Sequence, residues 1–175
     1  MKLHQVVTHA FAPIYNSESE ILILGTMPSV KSRENQFYYG HPQNRFWRVM
    51  AAALSCAVPT TIKEKEEMLL SHKIALWDVL HSCEIVGSDD NTIRKEIPND
   101  LVPLIEKTKI KRIVTNGKKA EKLYQKYCFS QIQIESVAMP STSPANASWS
   151  LERLVKEWTN IFCVPKNSFE IKKKY

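Results

Sequence analysis

The stretch Ile21–Met50, ILILGTMPSVKSRENQFYYGHPQNRFWRVM, decides how the rest of the chain is read. It begins in a short apolar run, Glu20–Leu24, of strand length, and that run stops at Gly25. It ends where Phe46, Trp47 and Met50, continued by Ala51 and Leu54, fall on one face of a helix. Between the two lie Pro28-Ser29, the aromatics Phe37, Tyr38 and Tyr39, then Gly40 and Asn44. The 175-residue chain has only 4 glycines, and two of them are spent here. A strand that breaks into a polar, aromatic loop before a helix is the pattern of a ligand crevice at a sheet edge.

Working outward, the same alternation recurs. Ile74–Val79 and Lys111–Thr115 read as further strands, and the alternating Ile132–Val137 as a fourth. Thr61 and Glu64 have capping-box spacing and open a helix through Leu70. Ile97–Ile105 reads as a short, proline-broken helix. Asn116-Gly117 turns into a helix whose Ala120, Leu123, Tyr124 and Tyr127 share a face. Leu151, Leu154, Val155, Trp158 and Phe162 make a last amphipathic helix. Strands alternating with helices predict a three-layer α/β/α sandwich with a mostly parallel four-stranded central sheet. One domain over 1–165 and a basic tail over 166–175 are expected. The crevice should then be built by Gly25 to Asn44, Asp78 to Asn91, Asn116 to Lys119 and Met139 to Ala147.

A formal net charge of +6 favours an anionic partner, nucleic acid first. Cys56, Cys83, Cys128 and Cys163 form no CxxC pair, and no Cys/His spacing suggests zinc or an iron–sulfur cluster. No cofactor or metal is expected. Met1 to Ile14 has no long apolar core, and no run approaches a membrane span, so a cytoplasmic protein with reduced thiols, by default a monomer, is expected.

Several residues at these edges have chemistry to offer, each beside a plainer role. Gly25 permits a tight turn or a close approach of backbone to ligand. Ser141, Thr142 and Ser143, between Pro140 and Pro144, are a stiffened run of hydroxyls suited to phosphate oxygens, or a turn before a helix capped by Ser148 or Ser150. Tyr38, Tyr39 and Phe37 can stack on a nucleobase or pack in the core. Asn44 can cap the helix that follows or position a water. Asp78 can accept a ring N–H from a base or cap the next segment. His41, His81, Ser88 and Asp89 fall near the same edge and form no metal cluster.

Taken together, GTMPS…FYYGHPQNRFW, IVTNGKKAEKLY and MPSTSPAN resemble the uracil-DNA glycosylase superfamily over about residues 20 to 160. The first two resemble its mismatch-specific thymine/uracil branch, and the whole pattern resembles its hypoxanthine-DNA glycosylase branch. Three departures stand out. Met27 occupies the position that often holds a water-activating Asp or Asn, and Met139 stands where a histidine often opens the second motif. The usual leucine wedge is also missing from PSTSPAN.

The resemblance implies a monofunctional DNA glycosylase that extrudes a deaminated base, hypoxanthine or uracil, and hydrolyses its glycosidic bond, leaving an abasic site for base excision repair. Tyr39 would stack on the base, Asp78 would read its edge, and Gly25, Thr26 and Met27 would offer backbone to it. Ser29, Ser141, Thr142 and Ser143 would grip phosphates, while Pro144 and Ala145 would fill the vacated stack. With Met27 inert, Asn44 is expected to orient the water. Two rivals remain: a non-catalytic nucleic-acid-binding module, and a serine acyl hydrolase using Ser29 or Ser141, which lacks a G-x-S-x-G elbow and any histidine after His81.

Overall fold

The structure is a computed structural model and describes residues 3–163, so the basic tail expected at 166–175 lies outside the described residues. Its centre is a four-stranded, wholly parallel sheet in the order β3-β2-β6-β7. These strands are β2 (Ile21–Gly25), β3 (Ile74–Asp78), β6 (Arg112–Asn116) and β7 (Ser136–Met139). Every residue of β2 is buried, which is why it reads as a continuous apolar run rather than an alternating one.

Strand alternation sorts β2 between two cores. Ile21 and Ile23 face α2 (Phe46–Ala53), α3 (Ile62–Ser71) and α7 (Leu151–Cys163), packing with Phe46, Met50, Leu69, Leu154 and Trp158. Leu22 and Leu24 face the other side, with Leu104 of α4 (Val102–Glu106) and Leu123 and Tyr124 of α5 (Lys118–Tyr127). Leu22, Ile23 and Leu24 are fully buried, and each such side chain contributes about 1.5–3 kcal/mol. Two shorter helices, α1 (Val30–Asn35) and α6 (Phe129–Ile132), complete the helical set among the described residues. The expected α/β sandwich with a parallel four-stranded sheet is therefore what forms.

The local signals for several helices act as their chemistry requires. The Thr61 side chain accepts from Glu64 N, and Glu64 reaches back to Thr61 N, closing the capping box of α3. Ser150 Oγ accepts from Arg153 N and opens α7.

Three expectations need correction. The strand expected over Ile132–Val137 is β7, beginning only at Ser136, because Ile132 ends α6 and Gln133 turns left-handed (φ 54). Ile132 and Ile134 alternate because both pack on the second core, not because they share a strand. The helix expected over Ile97–Ile105 shrinks to α4, since Ile97 and Pro98 end a strand. Asp78 to Asn91, expected as crevice loop, is mostly strand. There β4 (Leu80–Val86) and β5 (Asp89–Pro98) form an antiparallel hairpin, and β1 (Gln5–Thr8) pairs with β4 to make a second sheet.

Candidate active site

The parallel register aligns the carboxyl ends of the four strands. Gly25 pairs with Asp78, Leu24 with Thr115, and Asn116 with Met139. Alternation then puts Asp78, Gly25, Asn116 and Met139 on the same side of the sheet, the side covered by α2 and α7. The fourth strand end carries only a buried thioether, so polar chemistry concentrates on the other three.

Gly25 leaves the floor bare. A Cβ there would meet Asp78 Oδ1 at 2.4 Å and the Tyr39 hydroxyl at 2.9 Å. Asp78 is 4 % exposed, and its Oδ2 accepts from His9 Nε2 at 2.7 Å. His9 follows β1 and packs its ring against Phe11 and Tyr38. Asp78 Oδ1 has no hydrogen-bond partner among the described residues and looks over the bare strand end.

Tyr39 is held in an uncommon left-handed conformation, φ 52. Its neighbours fix it: Trp47 Nε1 donates to Tyr38 O, Tyr38 OH donates to Ala12 O, and Gly40 N donates to Ser32 Oγ. One face of the Tyr39 ring stacks on Phe46 at 4.1 Å. Burial, with the Asp78 charge adding to it, pushes its phenol well above the usual range, so it is a neutral hydroxyl.

A directed chain of hydrogen bonds joins Tyr39 to Asn44. Thr142 N donates to Asn116 Oδ1, which fixes the Asn116 amide. Asn116 Nδ2 then donates to the Tyr39 hydroxyl at 3.1 Å and to Thr142 Oγ1 at 3.0 Å. Thr142 Oγ1 donates in turn to Asn44 Oδ1 at 3.0 Å, and Phe46 N donates to the same oxygen at 2.9 Å. Both lone pairs of Asn44 Oδ1 are thus occupied, and its Nδ2 remains as a donor. The half-buried Asn44 lines a cleft of about 440 Å³ together with Tyr39, His41, Trp47 and Arg48. Asn44 thus satisfies the first backbone N–H of α2, whose N-cap residue is Arg45, and also contributes to the lining of that cleft.

Thr142 is fully buried and its hydroxyl is spent inside this chain of bonds. Its expected contact with a phosphate is corrected accordingly: it is an internal support. Ser141 and Ser143 stay partly exposed, each Oγ accepting from a backbone N–H two residues on. Ala145 is exposed at the loop tip beside the half-buried Pro144. Gly117 allows this loop its close approach, because at φ 101 its missing Cβ would lie 3.1 Å from that of Ser141. Ser29 caps α1, its Oγ accepting from Ser32 N. Thr26 is 7 % exposed, and the Met27 side chain is buried in the second core, leaving only its backbone near the strand end.

Two residues were not found from the sequence. His9 lies in an N-terminal segment with no pattern of its own. Arg45 was passed over between Asn44 and the helix, yet its guanidinium donates to the carbonyls of Ser143 (2.9 Å), Asn146 (3.1 Å) and Trp149, and its backbone N to Thr142 O. It clamps the whole Thr142–Trp149 loop. Neither Ser29 nor Ser141 has a histidine partner for its hydroxyl, so the acyl-hydrolase alternative has no base. Among the described residues no group of three or more His, Cys, Asp or Glu side chains could hold a metal, and no helix is long and apolar enough to cross a membrane.

Comparison with known proteins bears on this constellation. A family model described as the uracil DNA glycosylase superfamily matches residues 12–162. A protein of Methanosarcina acetivorans named hypoxanthine DNA glycosylase is 35% identical over 159 residues, covering 90% of this chain and 99% of that protein. One of the same name from Methanosarcina barkeri is 34% identical over 112 residues, covering 63% and 71%. A solution NMR structure from M. acetivorans, described as a candidate uracil DNA glycosylase, superposes with a TM-score of 0.77 at 34% identity, covering 90% of this chain and 97% of that one. On these matches the chain belongs to the uracil DNA glycosylase superfamily.

Proposed function

We propose that this DNA N-glycosylase removes a deaminated base, hypoxanthine foremost, from DNA by extruding the nucleotide and hydrolysing its glycosidic bond. The observation that carries the proposal is the chain of bonds from Tyr39 through Asn116 and Thr142 to Asn44, built across strand ends that Gly25 leaves bare. The relatives' names, hypoxanthine DNA glycosylase, support the choice of base.

In this reading each group described above has a part. The glycosidic bond is out of reach inside a duplex, so the nucleotide swings out. The loop clamped by Arg45 presents Ser141 and Ser143 to the flanking backbone, with Ser29 on the opposite loop and Pro144 and Ala145 at the vacated stack. The extruded base lies on the Tyr39 face turned away from Phe46; such stacking contributes about 1–3 kcal/mol. Asp78 Oδ1 accepts the ring N–H of the base, while Gly25, Thr26 and Met27 offer backbone. As the bond lengthens, positive charge grows on the sugar and negative charge on the base. Asn44 Nδ2 donates to the attacking water and holds it at the sugar. It orients that water and takes no proton, since both lone pairs of its oxygen are occupied; the water's oxygen bonds the sugar carbon as the glycosidic bond breaks, and the proton it sheds goes by way of solvent to the departing base.

Purified protein incubated with duplexes carrying deoxyinosine, deoxyuridine, deoxyxanthosine or a mismatched thymine tests this. Free base and an alkali-labile strand are expected, with deoxyinosine cleaved fastest. DNA retention without base release from any of the four would instead establish a non-catalytic binder.

A further inference from the structure

We propose that His9 is a positioning residue for base contact: by donating to Asp78 Oδ2 it holds that carboxylate with Oδ1 over the bare strand end at Gly25, as a preset acceptor for a ring N–H of the extruded base. The proposal rests on the glycosylase reading above and extends the site to the N-terminal segment, ahead of residues 12–162 that the family model matches.

That segment is fastened on both sides of His9. Before it, β1 pairs with β4 as far as Thr8 opposite Ser82, and His9 N donates to His81 O at 2.6 Å. After it, Ile14 exchanges two backbone hydrogen bonds of 2.9 Å with Leu76 of β3. The chain between these anchors delivers His9 to Asp78, the last residue of β3.

The His9 ring is boxed in by other rings. Its centroid lies 4.7 Å from that of Phe11, 5.9 Å from Tyr38 and 6.5 Å, edge-on, from Trp77. The side chain is 2 % exposed, and Nε2 meets Asp78 Oδ2 at 2.7 Å. An ionised carboxylate only accepts, so Nε2 carries the hydrogen. A ring packed this closely turns only by displacing its neighbours, so the donor's direction is set before DNA arrives.

Asp78 is held from a second direction. The buried Asn99 donates through Nδ2 to Asp78 O at 2.9 Å and to Leu80 O at 3.0 Å, and Val79 N donates to Gly25 O at 2.8 Å. These bonds fix the backbone around Asp78 and leave its side-chain torsions free. The His9 bond sets those torsions. Oδ1 then lies 2.4 Å from where a Gly25 Cβ would be, with no protein donor among the described residues. One carboxylate oxygen is spent on the protein and the other is kept for a ligand. Releasing Oδ2 would let Oδ1 swing away from the strand end, and a displacement of about 1 Å in a positioning group costs up to about a hundredfold in rate.

The test is single-turnover base release from a deoxyinosine duplex at 15 °C, over a range of enzyme concentrations, for wild type, His9→Phe, His9→Gln and Asp78→Ala, with thermal melting of each. His9→Phe keeps a ring in the box and removes the donor. His9→Gln brings an amide N–H close to the place of Nε2. His9→Phe and Asp78→Ala should each lower the maximal rate by about tenfold to a hundredfold. The enzyme concentration for half-maximal rate should change by less than about threefold, since a side chain 2 % exposed touches no phosphate. His9→Gln should recover to within about threefold of wild type. A folded His9→Phe at the wild-type rate, a folded His9→Gln as slow as His9→Phe, or a loss confined to the half-maximal concentration would each overturn the assignment. So would Asp78→Ala at the wild-type rate, which removes the group through which His9 acts. Wild-type protein that releases no base would instead overturn the glycosylase reading itself. A second measurement depends neither on turnover nor on a variant at His9. In proton NMR the His9 Nε2–H of wild type should be protected from exchange with water, and that protection should vanish in Asp78→Ala. An unprotected wild-type Nε2–H would overturn the assignment whatever the activity.

Discussion

Asn44 does two things at once, and a pair of substitutions separates them. Asn44→Ala removes the acceptor of both Phe46 N and the Thr142 hydroxyl. The hydroxyl, at 0 % exposure, keeps the bond from Asn116 but its own proton is left without an acceptor, costing about 1–3 kcal/mol. The lost cap adds about 1 kcal/mol. A destabilisation of roughly 2–4 kcal/mol should lower Tm by on the order of 10 °C in a domain of this size. Thr142→Val removes the same hydroxyl without leaving it unpaired. It costs two neutral hydrogen bonds, about 2 kcal/mol together, and leaves the Asn44 amide bonded to Phe46 N and facing the cleft. The two variants should therefore lose comparable stability and differ widely in chemistry. At 15 °C, where both are folded, Asn44→Ala should slow single-turnover base release by about a hundredfold or more, as expected when a positioned reactant is released. Thr142→Val should lose less than tenfold. Equal losses from the two variants, or an Asn44→Ala enzyme within tenfold of wild type, would refute the water-orienting role and leave Asn44 as a cap.

Other perturbations have equally definite outcomes. Gly25→Ala puts a methyl 2.4 Å from Asp78 Oδ1 and 2.9 Å from the Tyr39 hydroxyl; it should cost about 1–3 kcal/mol by overpacking and abolish measurable base release in the same single-turnover assay. Arg45→Ala frees the Thr142–Trp149 loop, and Arg45→Lys should fail to restore it because one ammonium cannot reach three carbonyls; both should weaken duplex binding by about tenfold or more in fluorescence anisotropy while α2 survives by circular dichroism. Asp90→Asn should change how stability varies with pH, because burial pushes the Asp90 carboxyl up to about 6. The raised carboxyl favours folding below the unfolded value near 3.8 and loses that contribution as pH rises to about 6, so the Tm advantage of Asp90→Asn should grow between pH 4 and 6 and then level off.

The parallel sheet was legible because β2 and β3 are buried and read as apolar runs, and β6 carries Ile113-Val114 just before the Asn116-Gly117 turn. The hairpin was not. Its β5, DDNTIRKEIP, has one buried residue, Ile93, and its pairing with β4 shifts register three times, so no strict alternation marks it. His9 was illegible for a related reason: β1 buries only Val7, and nothing local links His9 to a carboxylate 69 residues away. Asn44, Tyr39 and Asp78 were singled out at strand and helix ends, each beside a capping or packing role, and the structure joins Tyr39 to Asn44 through Asn116 and Thr142 and sets Tyr39 and Asp78 around Gly25. Thr142 was identified as a hydroxyl of the right loop and assigned the wrong contact, because its burial depends on Asn116 and Asn44 arriving from two other segments.

The most direct measurement is quantification of free hypoxanthine by mass spectrometry from a deoxyinosine duplex, with wild type and Asn44→Ala run side by side at 15 °C. Stoichiometric hypoxanthine from wild type, from a strand that stays intact until treated with alkali, and a rate at least a hundredfold lower for the variant are expected. No hypoxanthine from the wild-type protein, or equal rates for the two, contradicts the central claim.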